Sequence, residues 1–238
     1  MSLKRDGATE SPWQNVTKLT TDNAINSQQN TYDIIIIGAG ISGITTALLL
    51  QKAGKNCLIL EAGNIGFGTT GGTTAHINTF FDSTYPEIES NFNKDASKLV
   101  ADAGKLAIEI ISSFIDEYQI NCDFETKTGY LFSETEKETD QLNEIFEAAQ
   151  NAGVDVDRST TNDLPISFIQ SLKFEGQAQF HPLKYVQALA KEFIALGGTI
   201  KENIFIKDVI QEDDKCKATS ATETFTGSYL IYATHIPP

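Results

Sequence analysis

Six consecutive residues, Gly38-Ala39-Gly40-Ile41-Ser42-Gly43, and an acid 23 positions after the first of them, Glu61, have the types and spacing needed to grip a dinucleotide. Gly38 permits a tight turn. Gly40 has no side chain, so a pyrophosphate can approach the backbone, and Gly43 lets a helix pack close to a sheet. A helix beginning here offers free N–H groups and the positive end of its dipole to phosphate. The Glu61 carboxylate is placed to accept hydrogen bonds from adenosine ribose hydroxyls. Its charge would repel a 2′-phosphate, which argues against NADP.

A G-x-G-x-x-G alone is a weak signal, so the elements around it decide. Asp33 to Ile37 reads as a buried strand, the glycines as the turn, and the residues through Gln51 as a helix. Asn56 to Leu60 reads as a second strand ending on the acid. Strand, turn, helix, strand and acid in register make a strong signal. The competing reading is a doubly wound domain that holds no nucleotide. After Glu61 the chain is rich in glycine and threonine as far as Ala75. That run is either a flexible surface loop or a polar wall of backbone N–H groups and threonine hydroxyls facing a cofactor. Its position directly after the acid favours the wall.

Further along, Glu87 to Tyr118 has helical spacing, with Leu99, Ala103, Leu106, Ile110 and Phe114 expected on the core face. Cys122 to Ser133 reads as one or two strands. Glu134 to Gly153 reads as a helix with Leu142, Ile145, Phe146 and Ala149 inward. Asp163-Leu164-Pro165 starts a turn, and Ser171 to Phe180 is strand-like with a break at Gly176. His181-Pro182 opens a helix through Leu196, which Gly197-Gly198 ends. The remainder is β: Thr199 to Glu202, Ile204 to Gln211, Cys216 to Thr219, Glu223 to Phe225 and Tyr229 to Ala233. Turns are expected at Asp213-Asp214-Lys215 and Thr226-Gly227-Ser228. The last strand runs out at a double proline, which is the expectation for a cut chain.

The net charge of −14 argues against nucleic acid and against an anionic membrane surface as partners. Cys57, Cys122 and Cys216 are scattered, with no C-x-x-C and no Cys/His ligand spacing, so no metal site is expected. Such cysteine usage fits a reducing compartment, and no apolar run is long enough for a membrane span. Cytoplasm is the expected location. Residues 1–30 form a polar lead-in whose Trp13 is either pinned on the domain surface or part of a mobile tail.

Taken together these residues resemble the FAD-dependent oxidoreductases of the glycine/D-amino-acid oxidase family, and within it the bacterial subgroup with a C-terminal Rieske iron–sulfur domain. The likeness runs from Trp13 to His235. It rests on SPWQ, IIIIGAGISGITTALLL with LILEAG, GTTGGTTAHI, QAQFHPLKYVQALA and the final IYATH. The resemblance implies that Gly38, Ala39, Gly40, Ile41, Ser42 and Gly43 hold the FAD pyrophosphate, and that Glu61 and Ala62 take the adenosine ribose. Thr69, Thr70, Thr73, Thr74 and Ala75 would face the ribityl chain and flavin ring. The Ile206 backbone would contact adenine, and Ala233 and Thr234 would close over the AMP half.

Two departures matter. Where related chains often carry a histidine in the loop this one has Gly72, so the FAD is expected to be non-covalent. The Cys-x-His and Cys-x-x-His pairs of a Rieske centre are missing, so a 2Fe-2S cluster belongs only to a longer parent chain, of which this would be an N-terminal fragment. The resemblance implies oxidation of an amine or amino acid by hydride transfer to flavin, with oxygen or an iron–sulfur domain taking the electrons. His76 and His181 are the substrate-side candidates. For His181 the alternative is a helix-start residue packed on the strand, and His76 reads more simply as a structural loop residue. No catalytic residue is assigned. Other readings are a flavin monooxygenase or NAD-binding reductase, and a non-catalytic dinucleotide-binding fragment. The expected fold is a doubly wound α/β, Rossmann-type FAD-binding domain (31–83 and 182–238) with a partial α+β substrate or cap domain (84–181) inserted.

Overall fold

The computed structural model describes residues 11–15, 19, 31–161 and 165–235. In chain order the elements are a 3-10 turn (Pro12–Gln14), β1 (Thr31–Ile37), α1 (Ile41–Lys52), β2 (Cys57–Leu60), α2 (Thr69–Gly72) and β3 (His76–Ile77). Then come α3 (Tyr85–Asn91), α4 (Lys94–Glu117), β4 (Glu125–Ser133), α5 (Glu136–Ala152), β5 (Val156–Ser159) and β6 (Gln170–Gln179). The chain closes with α6 (Pro182–Ala195), β7 (Thr199–Lys201), β8 (Asp208–Glu212), β9 (Lys215–Thr219) and β10 (Thr224–Tyr232). No helix among the described residues is long and apolar enough to cross a membrane.

Two compact units emerge. The first takes the chain up to Thr74, Ile120–Cys122, and everything from His181 onward. The second takes Ala75–Gln119 and Asp123–Phe180. The expected boundary at residue 83 therefore moves to 74, because His76 and Ile77 pair with Gln179 and Ala178 in the second unit's sheet. Ile120–Cys122 return to the first unit, where the Cys122 carbonyl accepts the His181 amide at 2.6 Å.

The first unit is an α/β fold on a sheet of order β7-β2-β1-β10-β9-β8. Four consecutive isoleucines, Ile34 to Ile37, are buried on both faces of β1, which is the pattern of a central parallel strand. β1 runs parallel to β2 and β10, and β2 parallel to β7; β9 and β8 then turn back antiparallel. Helix α1 buries Gly43, Ile44, Ala47 and Leu48, and packs against α6. Burying an aliphatic side chain of this size contributes about 2 kcal/mol. A separate cluster of Tyr32, Ile35, Ile37, Leu58, Leu60, Ile206, Ala218 and Phe225 forms another part of the core.

Two expectations for the closing strands are corrected. Glu223 to Phe225 and Tyr229 to Ala233 form one strand, with no turn at Thr226-Gly227-Ser228. Gly227 is glycine for packing: a Cβ there would lie 2.9 Å from Ile35 Cγ1. The strand expected over Ile204 to Gln211 begins only at Asp208, because the Ile204 amide is spent on the Glu61 carbonyl at 2.8 Å.

The second unit is α+β in build. β6 is its spine, paired antiparallel with β4 along one edge and with β5 and β3 along the other. Tyr85, Leu142, Ala149, Leu172 and Phe174 are in its core. The strand predicted from Cys122 starts at Glu125, and the break at Gly176 is a left-handed residue (φ 69°) where the pairing with β4 shifts register. The helix predicted from Glu87 to Tyr118 is two helices, separated where Asn93 caps α4 by accepting the Ala96 amide at 2.9 Å. Its expected apolar stripe holds only in part. Phe114 is buried as expected, but Leu99 and Leu106 are 69% and 54% exposed, and Ser97 and Ala101 are buried in their place. Close approach selects the small-residue side: a Cβ on Gly104 would lie 2.9 Å from the Phe81 ring. The turn expected at Asp163-Leu164 and most of the 1–30 lead-in lie outside the described residues.

Candidate functional site

The three glycines after β1 have different reasons to be glycine. Gly38 sits at φ 108°, and a Cβ there would meet the Ala233 carbonyl oxygen at 2.6 Å. A Cβ on Gly43 would stand 2.0 Å from the Gly38 carbonyl oxygen, so α1 lies hard against the turn. Gly40 is different. Among the described residues, the one heavy atom near its Cβ position, within 4 Å, is Thr70 Oγ1, at 3.1 Å. Protein packing leaves that direction open, which is the cradle a phosphate group needs. Gly40 is the N-cap of α1 and offers no side-chain cap. Among the described residues the Ser42 and Gly43 amides find no acceptor, because the first helical bond runs from Ile44 to the Gly40 carbonyl at 3.0 Å.

The acid closes the turn from the other side. Glu61 Oε2 accepts the Ala39 amide at 2.7 Å and Oε1 accepts the Gly63 amide at 2.7 Å. Each carboxylate oxygen has a further lone pair to offer. Ala62 beside it is exposed. The segment after β7 binds here too, through Asn203 N to the Gly63 carbonyl (3.0 Å) and Ile204 N to the Glu61 carbonyl. Ile206 follows with its side chain buried at 4% exposure. At the end of β10 the Ala233 amide donates to the Ile37 carbonyl at 2.8 Å, and the buried Thr234 hydroxyl has no partner among the described residues. A buried, unpaired hydroxyl next to the glycine turn is a group in want of a ligand.

The glycine- and threonine-rich run is built, not slack. Gly66, at φ 73°, donates its amide to the Ala39 carbonyl at 2.9 Å, and Ile65 donates to Glu202 Oε1 at 2.7 Å. Thr69 opens α2 and is exposed; Thr70 is buried, its Oγ1 accepting the Ile41 amide at 3.0 Å. Thr73 is half-buried and Thr74 exposed. Trp13 is pinned: its indole Nε1 donates to the Thr73 carbonyl at 2.7 Å. His181 caps α6, with Nδ1 accepting the Lys184 amide at 3.3 Å and the ring edge-on to Trp13. That bond leaves the imidazole proton on Nε2. Ala75 (buried, φ 64°) and His76 (exposed) lie in the second unit.

The family model for FAD dependent oxidoreductases matches residues 33–235. The chain belongs to this family. A Bacillus subtilis (strain 168) protein described as a Rieske 2Fe-2S iron-sulfur protein is 30% identical over 230 residues, covering 97% of this chain and 45% of that one. The gamma-glutamylputrescine oxidoreductase of Escherichia coli (strain K12) is 26% identical over 85% of this chain and 49% of its own. The chain thus spans about half the length of the curated relatives it matches. Among solved structures, glycine oxidase from Geobacillus kaustophilus superposes with a TM-score of 0.71 at 19% identity, covering 86% of this chain and 55% of the other. L-Amino acid deaminase from Proteus myxofaciens, in complex with anthranilate, gives 0.74 at 16% identity over 96% and 50%. At those identities the likeness is one of fold.

For an FAD dependent oxidoreductase the glycine turn, Glu61, the α2 turn and the end of β10 are the parts that could hold a dinucleotide. All are in the first unit. Sequence reasoning missed Glu202, which no motif marks, and the contact of Thr70 with the Ile41 amide. A capping-box pattern, Ser11 to Gln14, signals the Trp13 turn.

Proposed function

We propose that this chain binds FAD non-covalently in its first unit and contributes the cofactor-binding part of an oxidoreductase acting on an amine or amino acid. The observation that carries the reading is the open Gly40 cradle facing the unpaired Ser42 and Gly43 amides. The residues from Gly38 to Gly43 would receive the pyrophosphate on main-chain amides and the α1 dipole. Glu61, with one lone pair on each oxygen to spare, would accept from the adenosine ribose, next to Ala62. Ile206 would lie by the adenine through its backbone, and Ala233 and Thr234 would close the AMP half, Thr234 gaining the partner its hydroxyl lacks. Thr69, Thr70, Thr73 and Thr74 would line the side towards the flavin. Gly72, standing where a tethering histidine would be needed, supports non-covalent binding.

Bound there, FAD supplies a two-electron acceptor for a hydride leaving a carbon attached to an amine nitrogen. The protein's own share is binding and orientation. The relatives support an amine or amino-acid substrate, since one is named for gamma-glutamylputrescine and two structural neighbours for glycine and L-amino acids. The relative described as a Rieske protein supports an iron–sulfur domain as electron acceptor, with oxygen as the alternative. Titrating the purified chain with FAD is the test. A saturable flavin spectrum, released intact by acid precipitation, is expected; a chain that stays colourless with excess FAD would remove the proposal.

A further inference from the structure

Trp13 is the single tryptophan of the chain, and it sits on a 3-10 turn that carries its own capping box. Ser11 Oγ accepts the Trp13 amide at 3.3 Å, and the Ser11 amide donates to Gln14 Oε1 at 3.2 Å. This capped turn presents the indole to two segments distant in sequence. Nε1 donates to the carbonyl of Thr73, the residue that ends α2. The ring meets His181, the residue that begins α6, with centroids 5.2 Å apart and planes at 69°. Gln14 from the same turn lies 3.6 Å from the Cβ position of Gly71, inside α2. α2 in its turn delivers Thr70 to the Ile41 amide at the start of α1. One side chain thus ties together the ends of two helices and, through α2, the turn beside the open Gly40 cradle.

We propose that Trp13 is a positioning residue for the dinucleotide site: a latch, formed by the indole N–H and ring edge, that holds α2 against the start of α1 and sets how long FAD stays bound. The proposal rests on the FAD reading above. Without the latch, α2 loses the indole bond to the Thr73 carbonyl, and Thr70 no longer meets Ile41 in one fixed geometry. The loss is in cofactor retention, because α2 packs at the site while β1, α1 and α6 keep their own buried faces.

The test uses the 238-residue chain loaded with FAD, with the dissociation rate read from the return of flavin fluorescence on dilution and the melting temperature read on the apo chain. Trp13→Phe keeps a ring and loses the N–H; Trp13→Ala loses both contacts. His181→Asn keeps a good helix cap and loses the ring. FAD release should quicken by about fivefold in Trp13→Phe and by about tenfold or more in Trp13→Ala. His181→Asn should fall between wild type and Trp13→Ala, and should add nothing when combined with Trp13→Ala. The apo melting temperature of Trp13→Phe should stay close to wild type. Wild-type release rates in Trp13→Phe and His181→Asn overturn the latch, as does a Trp13→Phe chain that loses melting temperature while releasing FAD at the wild-type rate. A wild-type chain that takes up no FAD would instead defeat the reading of the site itself.

Discussion

The Glu61 carboxylate at the end of β2 accepts the amide of Ala39, 2.7 Å away in the turn after β1, so the acid proposed to take a ribose also holds the loop proposed to take a phosphate. Its second oxygen holds Gly63 in the same way. One side chain therefore has two tasks, and substitution should separate them. Glu61→Gln keeps one acceptor oxygen and should lower FAD affinity about tenfold while the apo chain still folds. Glu61→Ala leaves both amides without their acceptor and should cost about 2 kcal/mol of apo stability as well. Urea unfolding alongside FAD titration measures the two effects, and equal apo stability for Ala and Gln variants would contradict the clamp.

The glycines make a sharper contrast. Gly43→Ala would put a methyl carbon 2.0 Å from the Gly38 carbonyl oxygen, and overpacking against backbone should cost about 3 kcal/mol or more. Among the described residues, Gly40→Ala meets the Thr70 hydroxyl alone, at 3.1 Å. It should change apo stability by less than about 1 kcal/mol. Its effect should appear as a loss of FAD binding of at least about tenfold, because the methyl group enters the cradle. Calorimetry of both apo variants checks the order, and a Gly40→Ala chain with undiminished FAD affinity would show that the opening is not used.

Alkali should weaken the fold through two buried acids. Burial, with the Asp33 carboxylate adding to it, pushes the Cys57 thiol up to about 11, and burial pushes the Tyr85 phenol up to about 12. Both groups keep their proton in the folded state at a pH where the unfolded chain has lost it. Their contribution to stability is therefore whole below the ordinary values of 9.0 and 10.0, and is lost as pH rises towards the folded values. Urea midpoints measured from about pH 8 to about pH 11 should fall. Cys57→Ala should show a shallower fall across the same span. A midpoint independent of pH there would mean that Cys57 is not buried in the folded chain.

Gly227 supplies a test of the corrected strand. It pairs with Tyr32 in β1 and with Cys216 in β9, in the interior of β10. Gly227→Ala should destabilise the chain by about 2 kcal/mol, because Ile35, fully buried, must give way. A glycine in an exposed turn would tolerate alanine at a fraction of that, so guanidinium unfolding of this one variant distinguishes strand from turn.

The amino-acid sequence alone determined the parallel centre of the first unit. Four isoleucines in a row are apolar on both faces of a strand, and the glycine spacing with an acid after the next strand needs no tertiary information to read. The helix at His181-Pro182 and its stop at Gly197 were legible for the same reason: proline and glycine act through their own backbones. Only the tertiary structure decided which stripe of α4 is buried, since Leu99 and Leu106 offer more apolar area than Ser97 and Ala101, and the ring of Phe81 beside Gly104 chose the small side. It decided that Gly227 lies within a strand, because the reason for that glycine is Ile35, nearly two hundred residues earlier. It decided, too, that Trp13, Thr73 and His181 meet. Local pattern reaches only as far as a helix turn or a strand pair; contacts between residues 13, 73 and 181 depend on where the folded sheet carries each of them.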